Sequence, residues 1–423
     1  MTDDKPEPPR LFGDSRNLVT VETFRRPVEE RPLVETREGI LRWLVGPARK
    51  STSFTQTFDE LAWRMVAAGM PLLRASLHSG TLHPQFLGAT YVWWRDSGET
   101  AKVMVAHEIA DIVPYAQNVV LRVRQGGETL RRRIEDPDFE FDLTVLRDVK
   151  ARGATDYLAL PVASQFGFGT HMAAYVSDRP GGFTDAEVAE LETLSSRLSV
   201  IADMNSQRQI AENVLKAYLG PRTGPRVLTG QIRRGSGETI SAVIWSSDLR
   251  RFTHLSDHQP GERVIALLND LFDLQARAIA DHGGEILKFV GDGLLAIFPV
   301  VDSADAPRAA AEALAAAAEA QARLSELRQR LAADIGSDLE VVVALHYGVA
   351  TYGNIGSADR LDFTVIGPAV NLVSRIEAIG KSLDLPLIVS DDFARVYGQQ
   401  LKPLGMHKLR GLEQPHELFT AAD

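Results

Sequence analysis

The chain has 423 residues, 44% hydrophobic and 24% charged, with a formal net charge of −10 at pH 7. That length suits two or three domains, and the acidic balance disfavours a nucleic-acid or anionic-membrane partner. Cysteine is absent, which excludes disulfides, thiolate metal sites and cysteine nucleophiles.

Residues 1–34 are rich in proline and in charges of both signs, and read as a flexible arm. Their polar start carries no secretory signal, and no apolar run reaches the roughly 18 to 20 residues of a membrane span. A cytoplasmic protein is expected. Residues 35–183 read as an α+β domain. A helix is predicted over Thr57–Ala68, with Phe58, Leu61, Met65 and Val66 on one face. Strand-like runs follow at Leu72–Leu77, Phe86–Trp94 and Lys102–Ala106. A helix over Phe141–Ala151 and strands over Tyr157–Val162 and Thr170–Val176 complete an antiparallel pattern. His78, His83 and His107 lack tight ligand spacing and read as surface histidines.

Residues 184–237 read as a helical linker. Thr184 and Glu187 fit a capping box, with Phe183 and Val188 as its hydrophobic staple. Leu191, Leu194, Leu198 and Ile201 recur at spacings of three and four, and the register continues to Asn205 and Arg208. Such a stripe either forms a parallel two-stranded seam or packs on its own domain. The position between two domains favours the seam. Gly220-Pro221 and Gly224-Pro225 end the helix.

Residues 238–423 open with a strand, Ile240–Ser247, that ends at Asp248. A loop is expected from Leu249 to Asp257, then a helix over Glu262–His282 closed by Gly283. Gly291-Asp292-Gly293 lies between two apolar runs, a hairpin signal that predicts a type I′ turn at Asp292-Gly293. This turn lifts Asp292 to the tip. Lys288 falls inside an apolar strand, where a lone ammonium is costly without a partner. An alanine-rich helix runs from Asp305 to about Ala333. Strands over Glu340–Ala350, Leu361–Ile366 and Leu385–Val389 alternate with helices over Ala369–Gly380 and from an Asp391 cap to Tyr397. A strand pair over Leu401–Phe419 ends the chain. The order β-α-β-β-α-β matches a ferredoxin-like core.

Asp248 and Asp292 end neighbouring strands of such a core. Two carboxylates there suit Mg²⁺, although Asp248 alone also reads as a cap for the turn after it. Two ions about 4 Å apart would activate an attacking oxygen and hold a phosphate. Asn371 and Arg375 share a helix face, and suit an oxyanion and a phosphate.

Three motifs occur in order: Ser247-Asp248-Leu249-Arg250-Arg251-Phe252-Thr253, Lys288-Phe289-Val290-Gly291-Asp292-Gly293, and Phe363 to Arg375. Together they resemble the class III nucleotidyl cyclases, over roughly residues 211–420. The resemblance implies a homodimeric adenylate cyclase that converts ATP to cyclic AMP and pyrophosphate, with two Mg²⁺ or Mn²⁺ ions per site. It assigns the metals to Asp248 and Asp292, the triphosphate to the amides of Leu249, Phe252 and Thr253, and the base to Lys288 and Thr364. It gives Asn371 the ribose and Arg375 the pentavalent phosphorus, with Arg410 and Arg360 as phosphate contacts. Pro368 departs from the Asn or Asp common there, and Lys408-Leu409-Arg410 meets the terminal basic motif only in part. Lys is only a donor, so it suits adenine ring nitrogens; family guanylate cyclases usually carry Glu and Cys at the base positions. Gly283-Gly284-Glu285 suggests a diguanylate cyclase, but it follows a helix and is not a hairpin tip. The alternative of a different class is a catalytically silent, nucleotide- or ligand-binding dimeric sensor. Residues 35–183 resemble a GAF domain through the strands over Asp156–Val162 and Thr170–Val176 and the Gly-Gly-Phe-Thr-Asp-Ala-Glu-Val helix entry. That implies an unidentified small-molecule or ion effector.

Overall fold

The structure, a computed structural model, describes residues 17–112, 114–164, 169–335, 339–357 and 359–422, with the backbone alone at 110, 111 and 332–335. Residues 1–16 of the expected arm lie outside the described residues. Two compact units divide the chain, residues 1–217 and 218–423.

The N-terminal unit is built on strands β1 (Leu18–Arg25), β2 (Arg74–Gly80), β3 (Phe86–Trp94), β4 (Glu99–Ala106), β5 (Leu130–Arg133), β6 (Asp156–Val162) and β7 (His171–Ser177). They form one antiparallel sheet in the order β1-β4-β3-β2-β7-β6-β5. β1 corrects the expected arm. Its residues are exposed or half-buried throughout, so the strand has no apolar alternation; its backbone ladder to the edge of β4 holds it.

Helices cover both faces of this sheet. α1 (Arg37–Val45), α2 (Phe54–Ala67) and α6 (Asp185–Leu219) bury Ile40, Trp43, Phe58, Leu61 and Met65 against Trp93 and Tyr175. After a short α3 (Ile109–Ile112), α4 (Val119–Gly126) and α5 (Val145–Ala151) pack Val123, Leu146 and Val149 on the other face. The capping box at α6 is formed: Glu187 N–H donates to Thr184 Oγ1 at 3.3 Å, and Thr184 N–H to Glu187 Oε2 at 2.7 Å. The seam expectation is corrected. Leu191, Leu194, Leu198 and Ile201 are at most 6% exposed and belong to this unit's own core. Asn205, next in register, donates to Tyr91 Oη.

The C-terminal unit begins with α7 (Thr223–Leu228), so Gly224-Pro225 sits inside a new helix and does not merely end the previous one. The chain continues through β8 (Gly237–Leu249), α8 (Phe252–His258), α9 (Gly261–Asp281), β9 (Glu285–Val290), β10 (Gly293–Val300), α10 (Ala306–Ile335) and β11 (Val341–Gly356). It ends with β12 (Leu361–Ile366), α11 (Pro368–Ser382), β13 (Leu387–Ser390), α12 (Asp391–Tyr397), β14 (Lys402–His407) and β15 (His416–Thr420). The sheet order is β14-β15-β13-β11-β8-β10-β9, with β12 also paired to β11. Within it β11-β8-β10-β9 is antiparallel, in the spatial order fourth-first-third-second of a β-α-β-β-α-β unit. The ferredoxin-like expectation is met. β8 is central and buried on both faces, which is why Ile240–Trp245 reads as a nearly continuous apolar run. α9, α10 and α12 cover one face, and α11 the other.

Two local expectations fail. Residues expected as loop after Leu249 wind into α8 from Phe252. α12 is capped by Ser390, whose Oγ accepts from Phe393 N–H at 3.1 Å, and not by Asp391.

Candidate active site

Asp248 is the penultimate residue of β8, and β8 pairs with β10 through Ser247 opposite Leu294. Gly293 opens β10 directly beneath. A Cβ there would lie 2.1 Å from the Ser247 carbonyl oxygen and 3.2 Å from Asp248 Oδ1, so only glycine allows this approach. Asp292 precedes it, beside the Leu249 N–H, which favours its charged form. The two aspartates therefore lie at the same end of the β8–β10 pair.

The hairpin loop is Gly291-Asp292, since Val290 pairs with Gly293. Gly291 has φ +61°, while Asp292 is not among the residues of positive φ. Positive φ at the first loop residue alone is the pattern of a type II′ turn, and corrects the type I′ expectation. Burial pushes the Asp292 carboxyl above the ordinary range, against hydrogen bonds from its own and the Leu249 N–H.

Two further side chains from α11 join this corner. Glu377 accepts from the Ser246 hydroxyl, and its carboxyl is also raised, first by burial and then by the charge of Asp292. Lys381 places its ammonium against Asp248 and 3.3 Å from Glu377. Burial lowers the Lys381 ammonium pKa. Neither residue was singled out in the sequence; their signal is the i,i+4 Glu-Lys pair that begins two residues after Arg375.

The remaining site positions are distributed. Lys288 is exposed on β9, the sheet edge, and so avoids the burial that its apolar neighbours suggested. Thr364 is buried in β12, which approaches β9, and its hydroxyl has no partner among the described residues. Leu249 is buried, and the first amides of α8, at Phe252 and Thr253, have no intrahelical acceptor. No side chain caps α8, and Arg251 at its entry has φ +57°. Arg360 is exposed in the β11–β12 loop, in neither cluster.

Asn371 and Arg375 meet Lys408 and Arg410 in a second place, an open cleft of about 690 Å³ beside α11. Among the described residues no carboxylate lines that cleft. Glu377 and Lys381 face Asp248, whereas Asn371, Arg375, Ala378 and Ser382 face the cleft. One chain thus carries an acidic corner and a basic cleft on two sides of one helix, and neither aspartate lines the cleft.

Residues 237–413 match the family described as Adenylate and Guanylate cyclase catalytic domain. This segment is a cyclase catalytic domain. The chain is similar to adenylate cyclase 1 of Rhizobium meliloti, 27% identical over 58% of this chain and 37% of that protein. It is similar to adenylate cyclase of Anabaena cylindrica, 27% identical over 49% of this chain and 43% of that one. The chain therefore spans less than half the length of these relatives. Among solved structures it is similar to the adenylyl cyclase CyaB from P. aeruginosa, 25% identical over 44% of this chain and 96% of that chain, with a TM-score of 0.39.

The acidic corner of the cyclase domain offers oxygen donors only. Among the described residues no group of three or more His, Cys, Asp or Glu side chains is arranged around one point. Two carboxylates, one of them with its burial only partly offset, fit a hard divalent cation that completes its shell from phosphate oxygens.

Proposed function

We propose that this protein is an adenylate cyclase that forms 3′,5′-cyclic AMP and pyrophosphate from ATP at the interface of a homodimer. The observation that carries the reading is the separation just described. Asp248 and Asp292 lie on one side of α11 and Asn371, Arg375 and Arg410 on the other. Two copies facing each other would bring the acidic corner of one against the basic cleft of its partner, giving two complete sites. A single copy has none.

Asp248 and Asp292 would hold two Mg²⁺ or Mn²⁺ ions, which supply Lewis acidity to the ribose 3′-oxygen and the phosphates when bound. The chain's own residues do the rest. Amides at Phe252 and Thr253 would bind the triphosphate, since a helix N-terminus favours anions. Lys288 would donate to adenine, and the Thr364 hydroxyl, without a partner among the described residues, would accept from the 6-amino group. Asn371 orients the ribose. Arg375 faces the charge that grows on the α-phosphorus as the pyrophosphate leaves, the kind of preorganised contact that contributes several kcal/mol. Arg410 and Arg360 are assigned to phosphate oxygens. The N-terminal unit, GAF-like in this reading, regulates the cyclase domain in response to an effector, in the cytoplasm and without a membrane or nucleic-acid partner. Among the described residues no helix is long and apolar enough to cross a membrane.

The test is an assay of full-length protein with ATP and Mn²⁺. Cyclic AMP formation is expected, and Asp292→Ala should lower it at least about a thousandfold. Absence of product from purified wild-type dimer would favour a silent, ligand-binding sensor.

A further inference from the structure

β2 carries an unusual stripe. Strand alternation places Arg74, Ser76 and His78 on one face and Ala75 and Leu77 on the other. Both faces are covered by helices, so the polar stripe lies in the interior. Arg74 is 3% exposed and Ser76 is fully buried. A buried guanidinium is costly without a counter-charge.

Among the described residues no carboxylate lies within ion-pair distance of Arg74. Its single hydrogen-bond acceptor among them is Ser76 Oγ, at 3.1 Å from Nη1. Its cationic group also lies 5.4 Å from the Trp94 ring. The exposed Asp148 acts on it only from a distance, and Arg152 opposes that effect. The network continues from Ser76 Oγ to His78 Nε2 at 3.2 Å, and from His78 Nδ1 to Thr90 Oγ1 at 2.9 Å. Burial, then the charges of Arg74 and Arg124, push the His78 pKa down to about 3, so the ring is neutral and donates from one nitrogen. With Ser76 donating to Nε2 and Nδ1–H donating to Thr90, the Thr90 hydroxyl proton is left for a further acceptor.

Arg74, His78 and Thr90 open onto a cavity of about 170 Å³ between the sheet and α4. A water needs only about 10–15 Å³, so the space suits a larger molecule. Val103, Val105, Val119, Leu121 and Val145 supply an apolar wall. Arg74, Arg124, His78, Thr90 and Tyr157 supply the polar part, and among the described residues no Asp or Glu is in the lining. The lining thus combines positive charge, hydroxyl donors and branched aliphatic side chains.

We infer that this cavity binds a small organic anion, a single carboxylate on an apolar body, with Arg74 as its counter-ion and Thr90 as an orienting donor. The Arg74 guanidinium, without a carboxylate partner among the described residues, matches one negative charge, and guanidinium-carboxylate pairing uses two parallel N–H donors. Inorganic phosphate would bring more charge and no apolar body for the valines. The inference deepens the proposed effector role of the N-terminal unit. Binding is read without cyclase activity, so its failure and a failure of the catalytic reading are separate results.

The experiment uses benzoate as the probe on full-length protein, with benzyl alcohol and inorganic phosphate as controls. Thermal unfolding is followed by tryptophan fluorescence. Tm should rise by several degrees and in proportion to the logarithm of benzoate concentration, with smaller effects from both controls. Arg74→Met should weaken benzoate binding at least tenfold, while leaving the unliganded Tm no lower than wild type. Three results would overturn the inference: no benzoate effect, an equal effect of benzyl alcohol, or undiminished benzoate binding by Arg74→Met. Were Arg74→Met to misfold, intermolecular NOEs in wild-type protein decide: benzoate ring protons should contact Tyr157 and Val119, and their absence overturns the site.

Discussion

At the scale of single residues, partly buried charge shapes the candidate site. Lys381 sits on Asp248 where a cation is proposed to bind. Like charges compete for one carboxylate, so Lys381→Met should tighten Mn²⁺ binding by up to about tenfold, or roughly 1.4 kcal/mol, as measured by electron paramagnetic resonance of free Mn²⁺. Unchanged affinity would mean that the ammonium leaves Asp248 at no cost. His78 makes a second prediction. Its folded pKa of about 3 lies below the value near 6.5 of an unfolded histidine. Below that value the unfolded chain binds a proton that the folded chain does not, so stability falls as pH drops from about 6.5 toward 3. His78→Gln should reduce the stability loss between pH 7 and pH 5 by about 2 kcal/mol, read from urea unfolding followed by tryptophan fluorescence. Part of the acidic corner was legible in the sequence, because Asp292 in a glycine hairpin and Asp248 at a strand end each have a local signature. Glu377 and Lys381 have none stronger than an i,i+4 pair, which most surface helices also show.

At the scale of elements, α6 shows how one pattern serves two architectures. The three-four spacing of Leu191, Leu194, Leu198 and Ile201 describes an apolar stripe without naming what covers it. The sheet of the same unit covers it. Leu198→Ala should therefore destabilise the N-terminal unit by about 2–5 kcal/mol, independent of protein concentration. A loss that shrinks as concentration rises would restore the intermolecular seam. β1 is the converse case: a strand with neither face buried has no apolar period, and only its ladder to β4 identifies it. α8 escaped notice because its seven residues include no buried side chain to mark a face.

At the scale of the whole molecule, the proposed dimer predicts complementation. Asp292→Ala disables the acidic corner and Arg375→Ala the basic cleft, and each variant alone should be nearly inactive. Mixed as full-length chains, they form a heterodimer in which one composite site carries both defects and the other carries neither. Activity should return to a sizeable fraction of wild type, read as cyclic AMP per mole of heterodimer. Two inactive variants that stay inactive when mixed, under conditions where subunits exchange, would place both halves of the site in one chain.

The amino-acid sequence by itself determined the β-α-β-β-α-β order, the hairpin that carries Asp292 and the paired Asn371 and Arg375, because these depend on periodicity, glycine conformation and helical spacing, which act over a few residues. The tertiary structure alone decided which side of α11 each group faces, what covers the stripe on α6, and that Arg74, His78 and Thr90 share one cavity. Those outcomes depend on which elements pack together, and burial and long-range charge are properties of the packed molecule.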